Sequence, residues 1–167
     1  MKLKLTIFPA AIIVAMGILL GISAAQAATV NFDQNDSTRA IGITGLDIDG
    51  TLYDVDFVGP TEAVNVYYDF PGEFEFTTLD SAAAAVDAVN AALNAEGGVL
   101  YVGPEGGPNN PSAQVYDVGW STSTVGPIQY ANNVEAFGGS GGTWAKRSSP
   151  DQSVYTADSR TWATFTE

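Results

Sequence analysis

Cysteine and histidine are both missing from this sequence of 167 residues, and cations are scarce, with 6 Lys and Arg against 19 Asp and Glu and a net charge of -13. Each absence closes a class of chemistry. Without Cys there is no disulfide, no thiolate nucleophile, no Cys-ligated iron–sulfur cluster and no Cys-rich zinc site. Without His there is no Ser-His-Asp triad, no His-held haem and no side chain that titrates near neutrality by default. The shortage of Lys and Arg excludes nucleic acid as a partner, because phosphate binding needs them. Carboxylate or hydroxyl chemistry, hard-cation binding, or binding without chemistry stay open.

What the N-terminus does have is a long apolar run. Lys2 and Lys4 precede the stretch from Leu5 to Ile22, and Ala25-Gln26-Ala27 follows it. A positive start, an apolar run and a small-x-small exit are the pattern of a secretory signal peptide. The run is almost long enough to cross a bilayer, so a retained anchor is the alternative. Pro9, Gly17 and Gly21 favour cleavage, and the lack of a Cys after the run excludes a lipoprotein. The expectation is a signal at 1–27 and one secreted domain at 28–167, extracellular or periplasmic, with no membrane span once the signal is cut. Taking 27 from 167 leaves 140 residues, and losing two lysines moves the charge from -13 to -15. A domain of that size buries roughly 68% of its chain surface and needs no disulfide.

Along the domain, 29–37 is polar and reads as a loose lead. Ala40 to Val58 reads as a β-hairpin about Asp49-Gly50, a dipeptide that tolerates the positive φ of a two-residue turn. That turn sets Ile48 opposite Thr51, Leu46 opposite Tyr53 and Thr44 opposite Val55. Tyr53, Val55 and Phe57 then share the core face, and Asp54 and Asp56 the other. Val64, Val66 and Tyr68 alternate as a short strand, as does Glu73-Phe74-Glu75-Phe76. One helix follows: Leu79, Ala82, Val86, Val89 and Leu93 form an apolar stripe, with Asp87, Asn90 and Asn94 on the wet face, a Thr cap before it and Gly97-Gly98 after it. The narrow stripe, with small Ala positions, predicts a helix lying close on a sheet. Further strands are predicted at 99–102, 113–120, 127–131, 134–137, 143–146 and 160–166, with glycine- and proline-rich loops at 103–111 and 138–142. The fold class is therefore α+β: an antiparallel β-sheet with a β-hairpin and one amphipathic helix packed on one face.

Leu46-Asp47-Ile48-Asp49-Gly50-Thr51-Leu52 resembles the first motif of the haloacid-dehalogenase phosphatases, which would make Asp47 the nucleophile and Asp49 the acid. That family surrounds a parallel sheet with several helices and needs a downstream Lys and a late acidic metal pair. The sequence supplies one helix, only Lys146 after the apolar run, and no such pair. A DG turn accounts for the same residues. Asp47, Asp49, Gly50 and Asp56 partly echo a calcium loop, but Gly45 stands where its first ligand belongs and no helices flank it. Asp47, Asp49, Asp54 and Asp56 thus form at most a weak Ca²⁺ site on an acidic face, and no other cofactor is expected. Trp120, Trp144 and Trp162 are candidates for stacking on sugars, against the alternative that tryptophans in β-rich domains are core. No catalytic residue is assigned, because no pair among the 19 acids is singled out by spacing.

From Ile43 to Val58, through Phe74-x-Phe76-Thr77 and the Ala-rich helix ending near Leu93, the sequence resembles a domain of exported bacterial proteins, many of them carrying a PEP-CTERM sorting tail and belonging to the exopolysaccharide-associated secretome. Thr161-Trp162-Ala163-Thr164-Phe165 fits the same pattern. The residues up to Glu167 include no Pro-Glu-Pro motif, so sorting by that route is not expected. The resemblance implies no established activity. Together these features predict a non-enzymatic secreted structural or interaction protein, associated with extracellular matrix or envelope. Polysaccharide or envelope proteins are its expected partners; a carbohydrate-binding module using exposed tryptophans is the alternative, and an Asp-dependent hydrolase the third.

Overall fold

The computed structural model describes residues 27–67, 72–105, 107, 114–139, 141–156 and 159–167. The predicted signal up to residue 26, Tyr68 and much of the 103–111 loop lie outside the described residues.

The Asp49-Gly50 turn forms as its dipeptide dictates. It joins β2 (Asp36–Ile48) to β3 (Thr51–Thr61), with Ile48 opposite Thr51 and Leu46 opposite Tyr53. Asp49 takes φ 53° and Gly50 φ 88°, and the Asp47 carboxylate accepts the Gly50 amide at 2.8 Å. Tyr53, Val55 and Phe57 are buried while Asp54 and Asp56 are exposed. Beyond Leu46 the register departs from a simple ladder: Ile43, not Thr44, faces Val55. Gly45, at φ 69°, inserts one extra residue as a β-bulge, and the Asp54 carboxylate accepts its amide at 2.9 Å.

The 29–37 lead is not loose. Thr29–Asp33 is strand β1, paired to β2, with Val30 buried and the Asn31 amide donating to Thr44 Oγ1 at 2.9 Å. Arg39 pairs with Asp33 there. Val64–Tyr67 is a helical turn, α1, rather than a strand, because four residues are too few for alternation to decide. Glu73–Phe76 is not a strand either: Phe74 packs on Tyr67 at 4.6 Å, Phe76 on Phe165 at 4.8 Å, and both Glu stay exposed.

Helix α2 (Leu79–Glu96) starts on a capping box, in which Thr78 Oγ1 accepts the Ser81 amide and Ser81 Oγ accepts that of Thr78, and ends at Gly97. Ala82, Val86, Val89 and Leu93 are fully buried. Asp87 is exposed and pairs with Lys146. Asn90, however, is buried, where it accepts the Tyr116 hydroxyl at 2.9 Å. Asn94 clasps the backbone of Trp144 with two bonds, of 2.7 and 2.9 Å. The predicted wet face is therefore half committed to the sheet.

After β4 (Tyr101–Val102) come β5 (Val115–Val125), β6 (Ile128–Gly138), β7 (Trp144–Lys146), β8 (Asp151–Val154) and β9 (Arg160–Thr166). β5 and β6 form one long hairpin across Gly126-Pro127. The strands run β1-β2-β3-β9-β5-β6-β7, with β4 beside β2 and β8 beside β6. The class is α+β, but the sheet is mixed rather than antiparallel: β4 runs parallel to β2, and β9 runs parallel to β5. Helix α2 touches β1 and β2 as well as β5, β6 and β7, so the sheet curls around it.

On the outer face a second cluster gathers Ala63, Tyr67, Tyr155 and Trp162. Gly119 makes this possible. A Cβ there would stand 2.8 Å from Phe74 and 2.9 Å from Tyr67, and its amide donates to the Tyr67 hydroxyl at 3.1 Å. Gly119→Ala is therefore expected to lower stability by about 2 kcal/mol through overpacking, read as a lower midpoint in urea with an unchanged slope.

Candidate functional site

Of the three tryptophans, two are core. Trp162 is 0% exposed and Trp144 2%, and their indole N–H groups donate to Thr61 O at 3.1 Å and Val99 O at 2.8 Å. Neither can offer a stacking face to a sugar, since each ring is sandwiched between the sheet and a covering element. Trp120 differs in both respects. It is only partly buried, and its indole nitrogen has no hydrogen-bond partner. It also sits where β5 bulges: Gly119 faces Asn133 but Ser121 faces Asn132, leaving Trp120 as the extra residue. Bulges of this kind re-aim side chains.

Trp120 lines a cleft of about 500 Å³ with Ser123, Asn132, Pro150, Asp151 and Gln152. Its polar wall is a cross-strand network. Gln152 Nε2 donates to Asn132 Oδ1 at 2.7 Å and to Ser123 Oγ at 3.1 Å; Asn132 Nδ2 donates to Ser121 Oγ at 2.9 Å. These bonds fix the rotamers of neutral amides and hydroxyls beside a partly exposed indole. The arrangement suits a ligand that presents hydroxyl groups around an apolar face, and the Asp151 carboxylate in its lining is paired with Arg160 at 3.2 Å.

The acidic candidates do not converge. Asp47 holds the turn and Asp54 the bulge, as described, and Asp49 is a turn residue. Among the described residues no group of three or more acidic side chains is placed to hold a metal ion. Asp47 and Asp54 therefore cap backbone amides, Asp49 shapes the turn and Asp56 is exposed. The phosphatase-like motif is likewise the turn of an antiparallel hairpin.

Sequence reasoning missed the most strongly coupled charges. Arg160 Nη1 lies 2.9 Å from Glu135 Oε2, 3.2 Å from Asp151 Oδ2 and 3.5 Å from Asp117 Oδ2. Arg147 Nε lies 2.7 Å from Glu135 Oε1, although its N–H does not point along that line. The Asn133 amide donates to Asp117 Oδ1. Asp117 is 0% exposed, and burial pushes its carboxyl up to about 7 against the pull of Arg160, with Glu135 adding to the rise. The only signal in the sequence was the interruption of the apolar pattern of β5 and β6 by Asp117, Asn133 and Glu135, which reads as an ordinary solvated face. Through Arg160 this cluster ties β5, β6, β8 and β9 together.

No protein-family model, no curated protein and no solved structure matches the chain.

Removing Arg160 would leave Asp117 and Glu135 buried without their main counter-charge. Arg160→Met is expected to cost about 3 kcal/mol or more in chemical denaturation. The pH effect has the opposite sign from that of an ordinary paired acid. Folded Asp117 holds its proton up to about pH 7, whereas an ordinary aspartate gives its proton up near 3.8, so the folded state binds more protons in between. Stability from this group is therefore lost as pH rises from about 4 to 7. Thermal melts across that range should fall less steeply for Asp117→Asn than for the unaltered protein.

Proposed function

We propose that this chain is an exported, non-enzymatic glycan-binding domain that uses the Trp120 cleft to hold extracellular polysaccharide. The observation that carries the reading is the contrast among the tryptophans. The two buried rings have their N–H groups satisfied, while Trp120 is partly exposed on a bulge and faces a fixed row of amides and hydroxyls. An unsatisfied buried donor costs stability, so a bulged Trp is a poor choice for packing alone. A partly exposed indole beside neutral polar groups matches the two faces of a sugar ring, one of C–H groups and one of hydroxyls.

Three further features support the reading. The N-terminal signal pattern fits export, and the resemblance to domains of the exopolysaccharide-associated secretome fits a matrix or envelope setting. The acids are also occupied elsewhere: Asp47 and Asp54 hold backbone amides, and Asp117 and Glu135 are buried on arginines. The cleft's lining is neutral apart from Asp151, which is paired with Arg160, and on a protein of net charge -13 it would take neutral glycans in preference to acidic ones.

Intrinsic fluorescence titrated with a panel of soluble polysaccharides tests the proposal. At least one neutral polysaccharide is expected to shift tryptophan emission saturably. Trp120→Ala should weaken that binding about tenfold or more, measured well below the variant's own melting point because the ring also packs on the core. Binding retained in Trp120→Ala, or no response to any polysaccharide, overturns it.

A further inference from the structure

The parallel strands β5 and β9 are paired at a single position, Asp117 with Trp162. Past it they diverge, and a pocket of about 350 Å³ opens between Val118-Gly119 on one strand and Ala163–Phe165 on the other. Its walls are aromatic: Tyr67, Phe74, Phe76 and Phe165 all line it. Their rings are held by one another, Tyr67 to Phe74 at 4.6 Å and Phe76 to Phe165 at 4.8 Å and 81°. Exposed Glu73 and Glu75 stand at its mouth, and the described residues that line it include no Lys or Arg.

Aromatic faces carry negative quadrupole density, and two carboxylates add negative charge at the entrance. A neutral apolar ligand would use the walls but gain nothing from Glu73 and Glu75. An anion would be repelled. A cation without an apolar body would lose hydration without filling the space. We infer that this pocket binds an organic cation, a protonated or quaternary alkylamine, either free or carried as a side chain on a basic peptide. The site is separate from the Trp120 cleft and does not depend on the glycan reading.

The test is an NMR titration of the full, isotope-labelled chain that follows the Gly119 amide. The probes are choline, its uncharged isostere 3,3-dimethyl-1-butanol, and a short lysine peptide. At least one cation is expected to shift the Gly119 resonance saturably, with the uncharged alcohol binding about threefold or more weakly than choline. A stronger response to the peptide assigns the cation to a peptide side chain, and a stronger response to choline to a free amine. The exposed double variant Glu73→Gln/Glu75→Gln should weaken the cation by about threefold to tenfold and leave the alcohol unchanged. Phe74→Leu, which keeps the volume but removes a ring face, should weaken choline more than the alcohol. No saturable shift with either cation, or equal binding of choline and its isostere, overturns the inference.

Discussion

The curled sheet is two halves held at one seam. β1 to β4 and β9 form one half, β5 to β8 the other, and the ladder between them is a single pairing of Asp117 with Trp162. One backbone bridge cannot fix two sheets against each other. The seam is made by side chains: Arg160 on β9 reaches acids on β5, β6 and β8 at once, and Trp162 packs edge-on against Tyr67 at 5.3 Å. Because the charges are largely removed from water, each carboxylate relies on the guanidinium, and losing it would strand them. On one side of the bridge the strands are locked by charge; on the other they part and leave the aromatic pocket.

The helix completes what the seam begins. Its Ala-rich stripe lets β2 and β5–β7 approach closely, and Ile43, Val118 and Tyr116 are fully buried in the same cluster as its own Val86, Val89 and Leu93. With no disulfide available, register inside this core is set by polar anchors at its margins. Asn90 meets Tyr116, Asn94 meets the backbone of Trp144, and Gly119 meets the Tyr67 hydroxyl. Each satisfies a group that would be costly to bury alone, so each penalises a slipped alternative.

Local physics was legible in the sequence wherever one element decides its own form. The Asp49-Gly50 turn, the inward set Tyr53, Val55 and Phe57, and the helix from Leu79 to Glu96 with its glycine end all follow from dihedral preference and periodicity. What was hidden depends on partners distant in the chain. Nothing near Arg160 says that its strand slots between β3 and β5, or that β4 will run parallel to β2. The bulges at Gly45 and Trp120 each shift one register, which simple alternation cannot anticipate. For the same reason Trp120, Trp144 and Trp162 look alike in sequence; only the neighbours that meet each ring separate one partly buried ring from two buried ones. Asn90 shows the converse error, a polar residue read as wet that is buried because Tyr116 supplies its partner.

The four cations of residues 28–167 are all engaged. Arg39 is on Asp33, Lys146 on Asp87, Arg147 on Glu135, and Arg160 on its three acids. Each positive charge thus has an acid beside it, and because acids far outnumber cations, what neighbouring molecules meet is net negative. Two copies approaching in dilute salt push each other apart from any direction, over a range near 10 Å at about 0.1 M salt. Crowded in a hydrated gel, such molecules keep their spacing, draw in counter-ions and water, and swell rather than clump. Adding salt shortens that reach, so ionic strength sets how closely the molecules pack.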